Sequence, residues 1–233
     1  MGRTARLVVA GTPHHVYLRG NNRRRLFSSR EDRLQWLVCL RRGLDASRCQ
    51  LHQLTLMTNH VHMIVTPPEA RSLADLVKRA CQRYAQLRNA KRRGTGKLFE
   101  ERFRSKVIKD DRQLMMTTLY NDANAYRAND VESPLSHEWS TGPLHAARPG
   151  SKIWASLWTP SRWYLGLAPT PAARAAVYEQ LMAAYVRTDE PAQIDGKAEE
   201  ADLEPYQQRL ERPDRSCARE VAPRYGLIVQ RSR

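Results

Sequence analysis

The 233-residue sequence lacks any apolar run of the roughly 18 residues that a membrane span requires. Its N-terminal apolar stretch is too short for a secretory signal. The four cysteines show neither C-x-x-C spacing nor the pattern of a disulfide-rich secreted domain. These absences argue against a membrane protein and a secreted one. We therefore expect a cytoplasmic protein with reduced thiols.

Acidic residues are scarce in the first part of the chain. The whole chain carries 39 Lys+Arg against 24 Asp+Glu, a net charge of +15. Residues 1–30 contain seven arginines and no acidic residue, and residues 78–106 contain eleven basic residues against two acidic ones. Residues 187–233, by contrast, are nearly balanced. Such an excess predicts attraction to polyanions, nucleic acid first and acidic membranes second.

Hydrophobic periodicity predicts alternating strands and helices. We expect a strand at 15–19, an amphipathic helix at 30–46, a hairpin of strands at 50–57 and 60–65, a helix from Ser72, a strand at 103–108 and a helix from Asp110 or Asp111 to about Ala128. This order indicates an α+β fold, with an antiparallel sheet that has helices packed on one face. A small C-terminal helical extension follows it.

Two histidines within the second hairpin strand form the first candidate site. Side chains alternate along a strand, so His60 and His62 share one face of the sheet. Such a pair is more often structural when it stands alone. Here Ile64 continues the same face, and two buried imidazoles without partners would be costly. A bound metal ion or a hydrogen-bonded phosphate would satisfy both rings.

The last predicted helix carries a polar stripe that supplies the second candidate site. Tyr120 is the one aromatic residue on this stripe, and Asn124 lies one turn further along. The other members are Gln113, Thr117 and Arg127. A phenol beside an amide that can ligate a metal suits attack on a phosphodiester. The alternative is that Tyr120 is an ordinary tyrosine at the edge of the core.

Five segments together resemble a known family. They are HHVYLRGNNRRRLF, LMTNHVHMIV, GKLFEERFRSKVI, LYNDANAYRA and SRWYLGLAPTPAARAAVYEQLM, which span about residues 5–186. In this order they resemble the bacterial single-tyrosine HUH transposases, and among them the REP-associated tyrosine transposases. The chain departs from the family pattern at Thr58, where proline is usual. It departs again at Ala125-Tyr126, where proline and a small apolar residue usually follow the asparagine.

The resemblance implies a ferredoxin-like fold and a specific chemistry. His60, His62 and Asn124 would bind Mg²⁺ or Mn²⁺, and Tyr120 would be the nucleophile. The family cleaves single-stranded DNA beside hairpins, leaves a 5′-phosphotyrosine and a free 3′-hydroxyl, and rejoins strands by the reverse step. Residues 1–130 would form the catalytic domain, residues 131–186 the helical extension and residues 187–233 a charged tail.

The resemblance and the charge clusters together suggest the partners. The arginines expected to contact hairpin or single-stranded DNA are Arg19, Arg23, Arg24, Arg25, Arg83, Arg102 and Arg104. We expect no membrane partner, a site of action at the nucleoid, and either a monomer or a dimer. Two other interpretations remain open. One is a DNA- or RNA-binding regulator without strand transfer, and the other is a metal hydrolase that uses an activated water.

Overall fold

The computed structural model describes residues 7–100, 102–148 and 156–188. The predicted tail lies almost wholly outside these residues. The helices and strands are β1 (His14–Arg19), α1 (Arg30–Ser47), β2 (Gln50–Leu56), β3 (His60–Thr66), α2 (Ala70–Arg92), β4 (Arg104–Val107), α3 (Asp111–Asp122), α4 (Asn124–Arg127), α5 (Gly142–His145), α6 (Arg162–Leu165) and α7 (Pro171–Thr188). No helix in the described ranges has the length and apolar character to cross a membrane.

Within the described ranges, four strands form one antiparallel sheet in the order β2-β3-β1-β4. With α1 between β1 and β2 and α2 between β3 and β4, this is the ferredoxin-like topology. The predicted α+β class and the predicted hairpin are confirmed. The central position of β3 and β1 matters for function, because residues on both strands are flanked by neighbours on either side.

The two faces of the sheet pack against different helices. Val61, Met63 and Val65 of β3 join the core formed with α1 and α2. Ile64 points the other way and joins a second core with α3 and the C-terminal helices. Helices were predicted on one face of the sheet only, and α1 and α2 cover one face. The structure adds a second layer, so that α3 lies between the sheet and the extension and is buried on nearly every side.

A bulge in β2 explains the irregular polarity of that strand. The register with β3 shifts between Leu51 and Gln53, with His52 as the extra residue. Beyond the shift, Leu54 packs toward α1 and α2, whereas Gln53 and Thr55 face α3. The bulge thereby delivers polar side chains to the second face of the sheet, where the candidate site lies.

The basic segment after β1 is folded against the β2–β3 hairpin. Gly20 N donates to Asn59 O at 2.8 Å, and Leu26 N donates to Thr58 O at 2.9 Å. A Cβ atom at Gly20 would lie 2.0 Å from the carbonyl oxygen of Arg24, so the turn requires glycine there. Residues 20–27 are therefore held beside the start of the histidine strand.

A buried charge pair fixes the far end of the same segment. Arg88 of α2 is 2% exposed, lies 3.4 Å from the Asp32 carboxylate and donates from Nε to Leu26 O at 3.2 Å. Tyr84 donates its hydroxyl to the same carbonyl at 2.8 Å. Removing one member of a buried pair leaves the other charge desolvated, which is costly.

We predict that Arg88→Ala lowers the free energy of unfolding by about 3–5 kcal/mol. The control is Arg92→Ala, one turn further along α2, where the exposed side chain donates to Ser28 Oγ. That variant removes the same charge but costs less than about 1 kcal/mol, because its contacts are open to solvent. Urea unfolding measures both values. Equal losses in the two variants would show that the buried pair does not stabilise this segment.

Candidate active site

The histidine pair lies on the face of β3 that is turned away from α1 and α2. The ring centroids of His60 and His62 are 5.0 Å apart. Tyr17, which pairs with His62 across the β1–β3 ladder, places its ring 5.6 Å from His60 and 5.1 Å from His62. The predicted shared face is thus present, and a third ring from the neighbouring strand borders it.

The hydrogen bonds of the two imidazoles define their tautomers. His60 Nδ1 donates to Asn59 Oδ1 at 2.7 Å, since a carbonyl oxygen can only accept. The Asn124 amide nitrogen lies 3.2 Å from His62 Nε2, which accepts from it. His62 Nδ1 therefore carries the proton and donates to His15 Nε2 at 3.1 Å. In this network both rings carry their lone pair on Nε2, and the lone pair of His62 is engaged by the Asn124 amide.

The three histidines are neutral at neutral pH. Burial, reinforced by Arg19, lowers the pKa of His60 to about 4. Burial, reinforced by Lys106, likewise lowers the pKa of His15 to about 4. Burial next to His60 and His15 holds the pKa of His62 well below its usual value. Neutral imidazole is the form that binds metal ions, so the site is in the correct protonation state for that role.

His15 is a site residue that the sequence patterns did not single out. Its ring stacks on His62 with centroids 5.3 Å apart and an interplanar angle of 10°. Its position on β1, two residues before Tyr17, puts it on the same face. The signal available in the sequence was this alternation, but the pairing of β1 with β3 is needed to bring His15 beside His62.

Tyr120 and Asn124 reach the histidines from the covering helices. The chain bends little at Ala123, between α3 and α4, and its backbone stays near the helical region at φ −82° and ψ −3°. The two side chains therefore remain one turn apart. Tyr120 meets the His62 ring edge-on with centroids 6.1 Å apart, and Asn124 contacts His62 Nε2 directly. The structure thus brings together all four residues predicted for catalysis and metal binding.

The predicted polar stripe divides into two parts. Thr117 is buried and donates its hydroxyl to Gln113 O, while Gln113 accepts from Lys109 N. These hydrogen bonds stabilise the first turns of α3. At the other end, the Arg127 guanidinium lies over the Tyr120 ring at 5.2 Å and over the Tyr185 ring at 5.5 Å. The half of the stripe that lies nearer the histidine pair therefore runs from Tyr120 to Arg127.

The donor set fits a divalent cation. His60 and His62 carry their lone pairs on Nε2, and a half-turn of the Asn124 amide group would replace the N–H now bonded to His62 Nε2 by the carbonyl oxygen. The amide oxygen and completing water molecules suit Mg²⁺ and Mn²⁺, whereas imidazole nitrogens are more typical ligands of first-row transition metals. In the described ranges, no three His, Cys, Asp or Glu residues are grouped to hold a metal ion. A site here would thus depend on the asparagine as its third ligand.

Most of the predicted DNA-contacting arginines lie near this face. Arg19 pairs with His60, and Arg104 pairs with Tyr17, so both project to the side of the site. Arg23, Arg24 and Arg25 are exposed in the segment folded beside Asn59. Arg102 is exposed just before β4.

Arg83 is separated from the other six. It lines a cavity of about 300 Å³ on the outer side of α1 and α2, together with Cys39, Arg42, Arg79, Gln82 and Gln86. The sheet lies between this cavity and the histidines.

These features define a ferredoxin-like α+β protein whose central strand presents a histidine pair to a tyrosine on a covering helix. Residues 9–121 match the family model of IS200-like transposases, and this part of the chain belongs to that family. The matched range contains His60, His62 and Tyr120 and ends before Asn124.

The fold is shared with a solved structure. The fold matches a structure described as a REP-associated tyrosine transposase bound to a REP hairpin, with a TM-score of 0.55 and 15% identity. The match covers 69% of this chain and 93% of the other. At this level of identity the likeness establishes the fold. No curated protein matches the chain.

The buried histidines predict a loss of stability in mild acid. The unfolded chain binds a proton on His15 near pH 6.5, whereas the folded chain binds it only near pH 4. Protonation therefore favours unfolding, and stability falls as the pH drops from 6.5 toward 4. For His15 alone the loss at pH 5 is about 2 kcal/mol.

The measurement is urea unfolding of the metal-free protein at pH 7.5 and at pH 5, compared with His15→Gln. The variant should show a smaller difference between the two pH values, because it lacks one titrating group. An unchanged difference would mean that the pKa of His15 is not lowered in the folded state.

Proposed function

We propose that this protein is a metal-dependent, single-stranded DNA endonuclease and strand transferase that acts at hairpin-forming repeat DNA. The observation that supports this most directly is the convergence of Tyr120 and Asn124 on His62, beside His60, on one face of the sheet. The imidazoles of His15, His60 and His62 are neutral, and the surrounding surface is basic. Such a face is suited to a phosphodiester and to a divalent cation.

The proposed reaction is a transesterification. The Tyr120 hydroxyl oxygen attacks the scissile phosphorus and loses its proton, and the P–O3′ bond breaks. The products are a 5′-phosphotyrosine and a 3′-hydroxyl, which takes up a proton. Attack of a 3′-hydroxyl on the phosphotyrosine reverses the step and joins strands. Mg²⁺ or Mn²⁺ held by His60, His62 and Asn124 would supply polarisation of the phosphate and charge neutralisation.

Arg127 and the strand arginines supply the remaining positive charge. The guanidinium of Arg127 lies against the Tyr120 ring, where a phosphate approaching the nucleophile would meet it. Arg19 and Arg104 flank the histidines from β1 and β4. These contacts would bind the DNA backbone without reading sequence, whereas bases exposed in a single strand would supply specificity.

The choice of hairpin DNA rests on similarity. The matched structure is of a REP-associated tyrosine transposase that is described as bound to a REP hairpin. On that basis we propose that the chain belongs to the REP-associated group and acts at the nucleoid in the cytoplasm. We also propose that residues 1–130 carry the catalytic domain, that residues 131–186 form its helical extension and that residues 187–233 form a separate tail.

Covalent-adduct formation tests this function. Wild-type protein incubated with labelled hairpin DNA and Mn²⁺ should form an adduct that survives denaturing electrophoresis. Tyr120→Phe should abolish it, because the phenyl ring lacks the attacking oxygen. Tyr126→Phe, a matched change on the next helix, should retain the adduct. Cleavage without an adduct would favour a hydrolase that uses water. Binding without cleavage would favour a regulator, and an adduct in Tyr120→Phe would exclude Tyr120 as nucleophile.

Salt dependence tests the DNA-binding surface. Each lost phosphate contact makes the fall of log affinity with log salt concentration less steep by about 0.7 for single strands. Replacing Arg24 and Arg25 by alanine should therefore make it less steep by about 1.4. The comparison pair is Arg79 and Arg83 on the outer side of α2, which removes the same charge. A change confined to the α2 pair would place the DNA on the opposite side of the sheet. Equal changes would support the predicted role of Arg83.

A further inference from the structure

A buried carboxylate lies between the proposed nucleophile and the proposed third ligand. Asp122 is the last residue of α3, two residues after Tyr120 and two before Asn124, and it is 0% exposed. Its Oδ1 accepts from Gln53 at 3.0 Å, Ser140 at 2.9 Å and Thr141 at 3.2 Å. Its Oδ2 accepts from His145 Nδ1 and from the Tyr178 hydroxyl, both at 2.7 Å. A carboxylate tolerates such burial only when donors surround it.

The donors to Asp122 come from two parts of the chain. Gln53 lies on β2, directly after the bulge. Ser140, Thr141, His145 and Tyr178 all belong to the helical extension, from the segment before α5 through α7. One carboxylate therefore ties the end of α3 to the sheet on one side and to the extension on the other.

His145 is itself held in a fixed orientation. Its ring stacks on Tyr178 with centroids 4.7 Å apart, and the rings of Trp158 and Tyr164 meet it at 5.2 and 5.1 Å. Tyr164 also donates its hydroxyl to the His145 carbonyl oxygen at 2.8 Å. Such an aromatic enclosure leaves the imidazole no other rotamer without loss of packing.

Adjacent contacts reinforce the same junction. Asn121 donates to Gln53 Oε1 at 2.9 Å, and Thr55 donates to Asn121 O at 2.8 Å. On the outer side, Arg127 lies between the rings of Tyr120 and Tyr185, the latter on α7. The backbone that carries Tyr120 and Asn124 is thus held from both the sheet and the extension.

We infer that Asp122 and His145 are positioning residues for the proposed reaction, and that the helical extension is a working part of the catalytic unit. Asp122 bonds to Gln53 on the same face of the sheet as the histidine pair, but the contacts of Asp122 and His145 are with other residues than His60 and His62. Asp122, oriented by His145, holds the α3–α4 junction and thereby sets Tyr120 and Asn124 relative to His62. The inference rests on the proposed function for the chemistry that is positioned.

A small displacement at this junction has a large kinetic effect. A reacting group misplaced by about 1 Å costs on the order of 100-fold in rate. Asp122→Asn keeps the shape of the side chain but removes its charge and replaces one acceptor oxygen by a donor. His145→Leu removes the donor at similar bulk, whereas His145→Asn retains a donor near the position of Nδ1. Rescue by asparagine therefore separates the hydrogen bond from packing.

The experiment measures three properties of the full-length protein. They are the single-turnover rate of adduct formation with saturating hairpin DNA and Mn²⁺, the hairpin Kd in EDTA, and the Mn²⁺ Kd from the spin resonance of free Mn²⁺. The stability control is Tyr84→Phe, which removes a buried hydrogen bond to Leu26 on the other side of the sheet. Thermal melts measure the loss of stability in each variant, so that rates are compared between variants of similar stability. Tyr178→Phe removes one donor to Asp122 and serves as the mildest variant.

We expect Asp122→Asn and His145→Leu to lower the adduct rate at least tenfold and to weaken Mn²⁺ binding at least threefold. The hairpin Kd should stay within twofold. His145→Asn should recover most of the rate, Tyr178→Phe should lose about threefold, and Tyr84→Phe should stay within twofold of wild type.

Several outcomes would overturn the inference. Folded Asp122→Asn and His145→Leu with rates within twofold of wild type would do so, and so would an equal loss in Tyr84→Phe. If those two variants do not fold, Tyr178→Phe decides by the same comparison with Tyr84→Phe. A wild-type protein that forms no adduct would refute the proposed function instead, and the ratio of Mn²⁺ affinities would then decide the positioning role. Absence of both adduct and Mn²⁺ binding in wild type would refute both.

Discussion

The division of β3 between two environments is the constraint on which the rest of the structure depends. Val61, Met63 and Val65 must pack against α1 and α2, so His60 and His62 are forced to the opposite face. A slip of one residue in the pairing would bury the histidines in the aliphatic core and turn the valines toward α3. The apolar half of the strand therefore specifies the register that the polar half needs.

Covering the second face has two consequences for the site. The layer of α3 and the C-terminal helices removes the histidines from water, and this burial lowers their pKa values. The same layer brings Tyr120 and Asn124 into contact with His62. Burial of α3 also encloses Asp122, whose pKa burial alone would raise. The hydrogen bonds and the neighbouring His145 outweigh that effect and hold the pKa of Asp122 below its usual value.

Much of the fold and of the candidate site follows from local patterns. The hairpin, the shared face of His60 and His62, and the helical spacing of Tyr120 and Asn124 depend on periods of two and about four residues, which a sequence displays directly. His15 and Asp122 were not predicted as site residues because each depends on a partner far along the chain. The partner of His15 is His62, 47 residues away, and the partner of Asp122 is His145, 23 residues away. The separation of Arg83 from the other arginines likewise depends on which side of the sheet α2 occupies.

The sequence by itself determined the α+β class, the order of strands and helices, the basic character of the chain and the four residues that converge on the site. Only the tertiary structure decided that α3 is enclosed between the sheet and the extension, and that the carboxylate at the end of α3 joins the two. The physical reason is that alternation and helical periodicity are local properties, whereas burial is created by distant segments. A residue such as Asp122 acquires its role only when those segments supply its hydrogen-bond donors.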